Sequence, residues 1–287
     1  MQLREVGPFE VFPIGMGCAA LSVAPGDEDG EDVILAGLEA GATLLDTAAC
    51  YVPGHLEQGH NELMIAAAVK RFGKDASNVV VATKGGVERT KSGGTIASDF
   101  IANGSPEFIK FQCDRSLGAL GPLPIGIYQL HSPDPKVPVA DTMSAFKELK
   151  DEGKIQGAGL CNVTVKQIKE ASQVVRIDSV QNRFNPADRN SADVIDYCEQ
   201  NHITFLAYSP LGGLGEKARQ LGANNPRFEE VAQSKGVSPQ RIALAWELAL
   251  STSIIPIPGS RRRATIKDSL AAATVPLSEE EVAFLNG

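Results

Sequence analysis

Four residues of the chain have the types and the placement to move a proton. Asp46 and Tyr51 lie in "LLDTAACY", Lys84 closes "VVVATK", and His131 closes "IYQLH". A free tyrosine has a pKa near ~10, too high for efficient proton exchange at neutral pH. A neighbouring ammonium favours phenolate and lowers that value. Lys84 carries the needed charge, and Asp46 would keep it protonated and aimed. His131 would donate a hydrogen bond to a carbonyl oxygen. Together they would let Tyr51 protonate an oxygen while a hydride reaches the attached carbon. Taken singly, each has a plain structural reading: Asp46 as a turn cap, Lys84 as a solvated lysine, His131 as a turn histidine. Their joint placement makes them a candidate acid–base site.

These side chains need elements that bring them together. Short apolar runs alternate with segments of helical period. Strands are expected at Ile14–Gly17, Leu44–Asp46, Val79–Thr83, Ile125–Leu130, Ile155–Leu160, Ser179–Gln181, Thr204–Ala207 and Ile254–Ile257. Helices are expected at Glu31–Glu39, Asn61–Arg71, Pro106–Leu120, Val139–Asp151, Val165–Val174, Ala192–Asn201 and Pro239–Leu250, with one more after Ser260. Ser238 before Pro239, and Ser278 with Glu281, read as helix starts. Two short strands flank Gly7-Pro8.

Eight strands alternating with eight helices indicate parallel pairing with right-handed crossovers. An open dinucleotide-binding sheet would show a glycine-rich turn after its first strand, but "PIGMGCAAL" lacks the third glycine. The expectation is therefore an α/β fold of the (β/α)8 barrel type, in one domain over residues 1–287, with chemistry at the C-terminal ends of the strands. Cys161, Asn162, Gln181 and Tyr208 occupy such ends. Gly85–Ser105 is expected to be a long functional loop.

Bulk composition narrows the class. The chain has 287 residues, 43% of them hydrophobic and 6% aromatic, which suits a parallel sheet wrapped in helices. A net charge of −8 argues against nucleic acid. Five cysteines without metal-ligand spacing read as reduced thiols of a cytoplasmic protein, and no metal is expected. No apolar run is long enough to span a bilayer, and no signal region is evident. Trp246 reads as core, Cys18 and Cys50 as small packing residues near the rim, and His55 and His60 as surface positions.

"LLDTAACY" resembles the Asp-Thr-Ala-x-x-Tyr motif of the aldo-keto reductase family. "ATK", "LHSPD", "GLCN", "QNRFNP", "AYSPLGG" and "IPGS" follow in that family's order, from about Pro13 to Leu270. The resemblance implies a barrel closed at the bottom by an N-terminal β-hairpin, with an extended nicotinamide cofactor across the top. It implies Tyr51 as the acid/base, supported by Asp46, Lys84 and His131. It places Asn162 and Gln181 on the carboxamide, Tyr208 against the ring, and Ser209, Leu211 and Gly213 along the pyrophosphate. Ser260 and Arg261 would bind the adenosine end, with Asp268 near the adenine. Gly17, Cys18, Asp46, Pro210, Pro258, Gly259, Thr265 and Ser269 complete the implied cofactor positions.

Two departures from the family pattern stand out. Cys161 replaces the usual serine, and a thiol is the weaker donor. Thr265 and Ser269 stand where a basic residue and Asn are common. The run Arg261, Arg262 and Arg263 would compensate by holding a phosphate, which favours NADP over NAD.

The expected function is carbonyl–alcohol interconversion by a monomer or weak homo-oligomer acting on a small molecule. The short stretch after "LSEEEVAFL" would leave the pocket open, framed by Tyr51–Gly59, Gly85–Ser105 and Gly212–Asn225. Alternatives are a cofactor-binding regulatory subunit, and a lyase using Lys84 as a Schiff base.

Overall fold

The computed structural model describes residues 2–53, 58–89 and 100–287. Strands β1 (Arg4–Val6) and β2 (Phe9–Val11) form an antiparallel hairpin. The main sheet follows the chain through β3 (Met16–Gly17), β4 (Leu44–Asp46) and β5 (Val80–Gly85). A small side hairpin, β6 (Val87–Arg89) with β7 (Phe100–Ala102), interrupts it. The sheet resumes with β8 (Ile125–Leu130), β9 (Ile155–Cys161), β10 (Ser179–Arg183), β11 (Thr204–Tyr208) and β12 (Ile254–Pro256). Among the described residues these eight strands pair in parallel, in order β3-β4-β5-β8-β9-β10-β11-β12.

The first and last strands meet. Gly15 N donates to Pro256 O at 2.9 Å and Gly17 N to Pro258 O at 3.0 Å. A parallel bridge joins Gly17 to Gly259. Gly17 is required here, because a Cβ would lie 2.8 Å from Ile257 O. The sheet is thus a closed (β/α)8 barrel, as expected.

Side chains alternate across a strand, so residues i, i+2 and i+4 share the lumen. Leu44, Val80, Ala82, Ile127, Leu206, Ile255 and Ile257 fill its middle as one apolar cluster. Val6 and Val11 of the hairpin join that cluster from below, with Phe9 packed against it. The hairpin is pinned by Thr204 Oγ1 donating to Glu5 O at 2.6 Å, and by the Arg4 guanidinium on the carbonyls of Leu248, Ser251 and Ile254. The bottom is therefore plugged with hydrocarbon, and polar lumen residues collect at the top.

The helices form an outer ring around a larger core that includes Trp246, Phe146 and Phe205. Pro106–Leu120, Val139–Asp151 and Pro239–Leu250 match the expected bounds. Ser238 Oγ accepts from Arg241 N at the start of Pro239–Leu250, and Ser278 with Glu281 forms a capping box.

Two expectations were incomplete. Gly85–Ser105 contains the β6–β7 hairpin, anchored by Gln112, which accepts from Gly86 N at 2.7 Å and donates to Val87 O at 2.9 Å. The polar stretch hides two strands of three residues each; residues 90–99 lie outside the described residues. Gly212–Asn225 contains the short helices Glu216–Arg219 and Leu221–Asn224, followed by the unexpected helix Pro226–Lys235. Its signals were present: Pro226 in the first turn, and Gly236 in the left-handed conformation at the end.

Candidate active site

Asp46 continues the lumen row of Leu44, and Lys84 continues that of Val80 and Ala82. Period two therefore delivers both side chains to the same space from adjacent strands. Lys84 Nζ donates to Asp46 Oδ1 and Oδ2, each at 2.7 Å, and to Thr47 O at 2.8 Å. Lys84 is 1% exposed and Asp46 3%. Asp46 Oδ1 also accepts from Gln181 Nε2 at 2.7 Å. Gln181 reaches on to Gln129 Oε1 at 3.1 Å, and Gln129 donates to Ser179 Oγ at 3.0 Å. Gly159 leaves room for this chain, since a Cβ there would meet Ser179 Oγ at 2.4 Å and Gln129 Cγ at 2.8 Å. A buried ion pair is tolerable only when such hydrogen bonds satisfy it.

Tyr51 lies just beyond β4, with the Lys84 ammonium 5.1 Å from its ring centre. The Tyr51 and His131 rings meet edge to face, centroids 5.5 Å apart. His131 follows β8, held by its backbone N on Gly85 O at 2.8 Å and its O accepting from Asn162 Nδ2 at 3.0 Å. The four proton-handling candidates therefore converge on one rim.

The electrostatics correct one expectation. Lys84 was expected to lower the Tyr51 pKa. Burial instead pushes the phenol above its ordinary range, and the pull of Lys84 does not overcome it. Burial pulls the Lys84 pKa down, but the charges around it, Asp46 first, outweigh burial and hold the ammonium above its usual value. Burial, and then Lys84, drive His131 down to about 3, so its imidazole is neutral at pH 7. The site presents a protonated phenol, a fixed cation and a neutral imidazole.

Other expected residues divide into two groups. Asn162 sits at φ 58°, a left-handed conformation that Asn tolerates. Its Oδ1 accepts from Tyr208 OH at 2.9 Å, and Ser209 follows at φ 50°. Asn162, Tyr208 and Ser209 thus border the tetrad on the β9–β11 side. Gln181, read as a carboxamide ligand, donates its amide nitrogen to Asp46 and Gln129. Cys18 and Cys161 are 0% and 1% exposed, and burial raises both thiols. Pro210 and Pro258 are buried beside the loops that follow β11 and β12.

The second group surrounds a cavity of about 710 Å³ lined by Leu211, Gly213, Gly259, Ser260, Arg261, Thr265, Asp268 and Ser269. None of the tetrad lines it. Arg261 Nη1 donates to Ala24 O at 3.1 Å across its mouth. Arg263 is bound by Glu28, whose Oε2 accepts from Arg263 N at 2.9 Å and Nε at 3.1 Å. Arg262 is exposed. Asp268 is committed to Ser238 Oγ at 2.7 Å and to the Arg241 guanidinium. The segment Pro25–Glu28 forms the facing wall. Sequence reading missed it, because a Pro-Gly-acidic stretch signals only a loop.

The same reading also missed Thr47 and Gln129 as neighbours of the tetrad, and it placed Cys50 near the rim only as a packing residue. Gln129 was detectable, lying two residues before His131 and hence on the same strand face. His60 is half-buried, with Nδ1 2.9 Å from Ser22 Oγ, and is not the plain surface residue expected. His55 lies outside the described residues. All five cysteines are free, and among the described residues no cluster of His, Cys, Asp or Glu could hold a metal ion. Among them also, no helix is long and apolar enough to cross a membrane.

Comparison with known proteins agrees with this architecture. Residues 13–287 match the model of the aldo/keto reductase family. An uncharacterised oxidoreductase of Schizosaccharomyces pombe is 35% identical over 250 residues, covering 86% of this chain and 75% of its own. An aldo-keto reductase of the same yeast, whose name carries NADP(+), is 27% identical over 311 residues, covering 97% of this chain and 88% of its own. The crystal structure of a thermostable aldo-keto reductase superposes with a TM-score of 0.80 at 25% identity, covering 100% of this chain and 99% of that one. The chain, with its closed barrel and its match over nearly the whole length, belongs to the aldo-keto reductase family of oxidoreductases.

Proposed function

We propose that this protein interconverts a small-molecule aldehyde or ketone and its alcohol, with NADP as the cofactor and Tyr51 as the proton donor and acceptor. The observation that carries the reading is the convergence of Tyr51, Lys84 and His131 over the buried Asp46 carboxylate. The cavity fits the adenosine end of such a cofactor: Arg261 and Arg262 offer cationic forks for a phosphate, and Gly213 and Gly215 bring backbone close. Leu211, Ser260, Thr265 and Ser269 line the same space. Asn162, Tyr208 and Ser209 lie between that cavity and the tetrad, where the nicotinamide would be held. When bound, the cofactor supplies or removes a hydride at the carbonyl carbon. The NADP(+) in the yeast relative's name points the same way.

The chain's own residues handle the proton. In reduction, the Tyr51 phenol carries its proton at neutral pH and gives it to the carbonyl oxygen. The phenolate left behind is stabilised by the Lys84 ammonium under the ring. Asp46 and the Thr47 carbonyl hold that ammonium in one place, so no reorganisation is needed as charge develops. His131, neutral, donates a hydrogen bond to the same oxygen. In oxidation the phenolate takes the alcohol proton back. The Schiff-base alternative fares poorly, because Lys84 is kept cationic and its three donors face three acceptors, leaving no free lone pair to attack a carbonyl.

The test is NADPH and NADH absorbance against a panel of aldehydes and ketones, and of alcohols in reverse. Turnover by the isolated chain is expected. NADPH binding without turnover on any class would favour the regulatory-subunit reading.

A further inference from the structure

The mechanism leaves one question at His131. A neutral imidazole carries a single ring proton, on Nδ1 or on Nε2, and only one arrangement lets the free edge donate. The structure has a group in contact with one edge. Cys50 Sγ lies 3.4 Å from His131 Nδ1. Cys50 is 1% exposed, so its sulfur is shielded from bulk water. Among the described residues Nε2 has no hydrogen-bond partner. The edge-to-face contact with Tyr51, and Phe100 with its ring centroid 6.4 Å away, hold the plane of the imidazole. Cys50 sits in a small apolar cluster with Ala48 and Val87, which keeps its side chain in place.

We propose that Cys50 is a positioning residue: its thiol donates to His131 Nδ1, fixes the Nε2–H tautomer, and so makes His131 a donor toward the substrate oxygen. Two facts set the direction of the bond. The thiol retains its proton, since burial pushes it up to about 12. Sulfur is a poor acceptor, whereas the imidazole lone pair is a good one, so S–H to nitrogen is the better of the two pairings. With the opposite tautomer Nε2 would present a lone pair to a carbonyl oxygen and repel it. Cys50 does this without touching substrate, from the position directly before Tyr51. The proposal rests on the carbonyl-reduction reading for its consequence, though the tautomer itself is a property of the resting protein.

The test is therefore made first without turnover. Long-range ¹H–¹⁵N correlation spectra of the uniformly labelled full chain report which ring nitrogen carries the proton. The signal is assigned by its loss in His131→Gln, among the four histidines of the chain. The expected result is a protonated Nε2 and a bare Nδ1 in the wild type. In Cys50→Ala the two nitrogens are expected to move toward each other as both tautomers populate, and Cys50→Ser restores the wild-type pattern. In carbonyl reduction Cys50→Ala is expected to lose ~5-fold in kcat, the scale of one neutral hydrogen bond, with NADPH affinity unchanged and Cys50→Ser rescuing the loss. A protonated Nδ1 in the wild type overturns the proposal, and this needs no variant to fold. So does an unchanged imidazole signature in a folded Cys50→Ala. If the tautomer behaves as stated but the wild type turns over no carbonyl, the proposed function fails and the Cys50 assignment stands.

Discussion

The two ends of the candidate site are built on opposite principles. At the lumen end, Asp46, Lys84 and Gln181 sit on strand ends, almost fully buried, each held by hydrogen bonds shorter than 3.2 Å. At the other end, Arg261, Arg262, Arg263 and Glu28 sit on loops and a helix start, half-buried or exposed, and two of the arginines are occupied by the protein's own oxygens. Charge that must act on a developing transition state works best when fixed beforehand in a dry, low-dielectric place. Charge that must capture and release an anionic ligand works near water, where each contact is weaker and exchangeable. The barrel wall provides the first setting and its rim loops the second.

The largest expected effect comes from breaking the rigid end. Asp46→Asn leaves the Lys84 cation buried without its counter-charge, and such losses cost about 3–5 kcal/mol. Urea unfolding should show a loss of unfolding free energy of that size. A change below ~1 kcal/mol would mean that the pair is not the electrostatic anchor it looks like.

Next is Tyr51→Phe, which keeps the ring over Lys84 and removes only the hydroxyl. Turnover is expected to fall by at least ~10²-fold, the scale of a lost general acid, while NADPH affinity and melting temperature hold. Steady-state kinetics with near wild-type turnover would sink the assignment of Tyr51.

At the exposed end the expected penalty is smaller and selective. Arg261→Ala should weaken NADPH by ~1.5–3 kcal/mol, as for a hydrogen bond to a charged group, and leave NADH nearly unchanged. Equal losses for both cofactors, measured by fluorescence titration, would instead assign Arg261 to holding the Ala24 loop.

The smallest effect is expected between the two ends, at Cys161→Ser. If a donor is needed toward the nicotinamide, the hydroxyl gains up to ~1 kcal/mol in cofactor affinity. The structure favours the opposite sign: the side chain is 1% exposed, and a smaller atom leaves space in a packed lumen. Weaker NADPH binding with a lowered melting temperature would make Cys161 a packing residue.

Much of this was legible in one dimension. Short apolar runs alternating with helical-period segments, and helices with capping signals, point to the barrel without help from distant residues. The period of two along a strand puts Asp46 two residues past Leu44, and Lys84 two past Ala82, so the sequence alone brought the ion pair to the rim. Pro226 and Gly236 carried their helix signals too, though the polar stretch between them concealed the element.

What the tertiary structure decided is everything that depends on which groups face one another and how much water reaches them. The sequence suggests that Lys84 lowers the Tyr51 pKa; only packing shows that burial outweighs it. That Gln181 donates its amide nitrogen to Asp46 and Gln129 was likewise invisible in the sequence, because the three come from different strands. Cys50 read as filler until β8 placed His131 beside its sulfur. Desolvation, hydrogen-bond partnership and tautomer are properties of three-dimensional neighbours, and residues 81 positions apart, like Cys50 and His131, become neighbours only when the barrel closes.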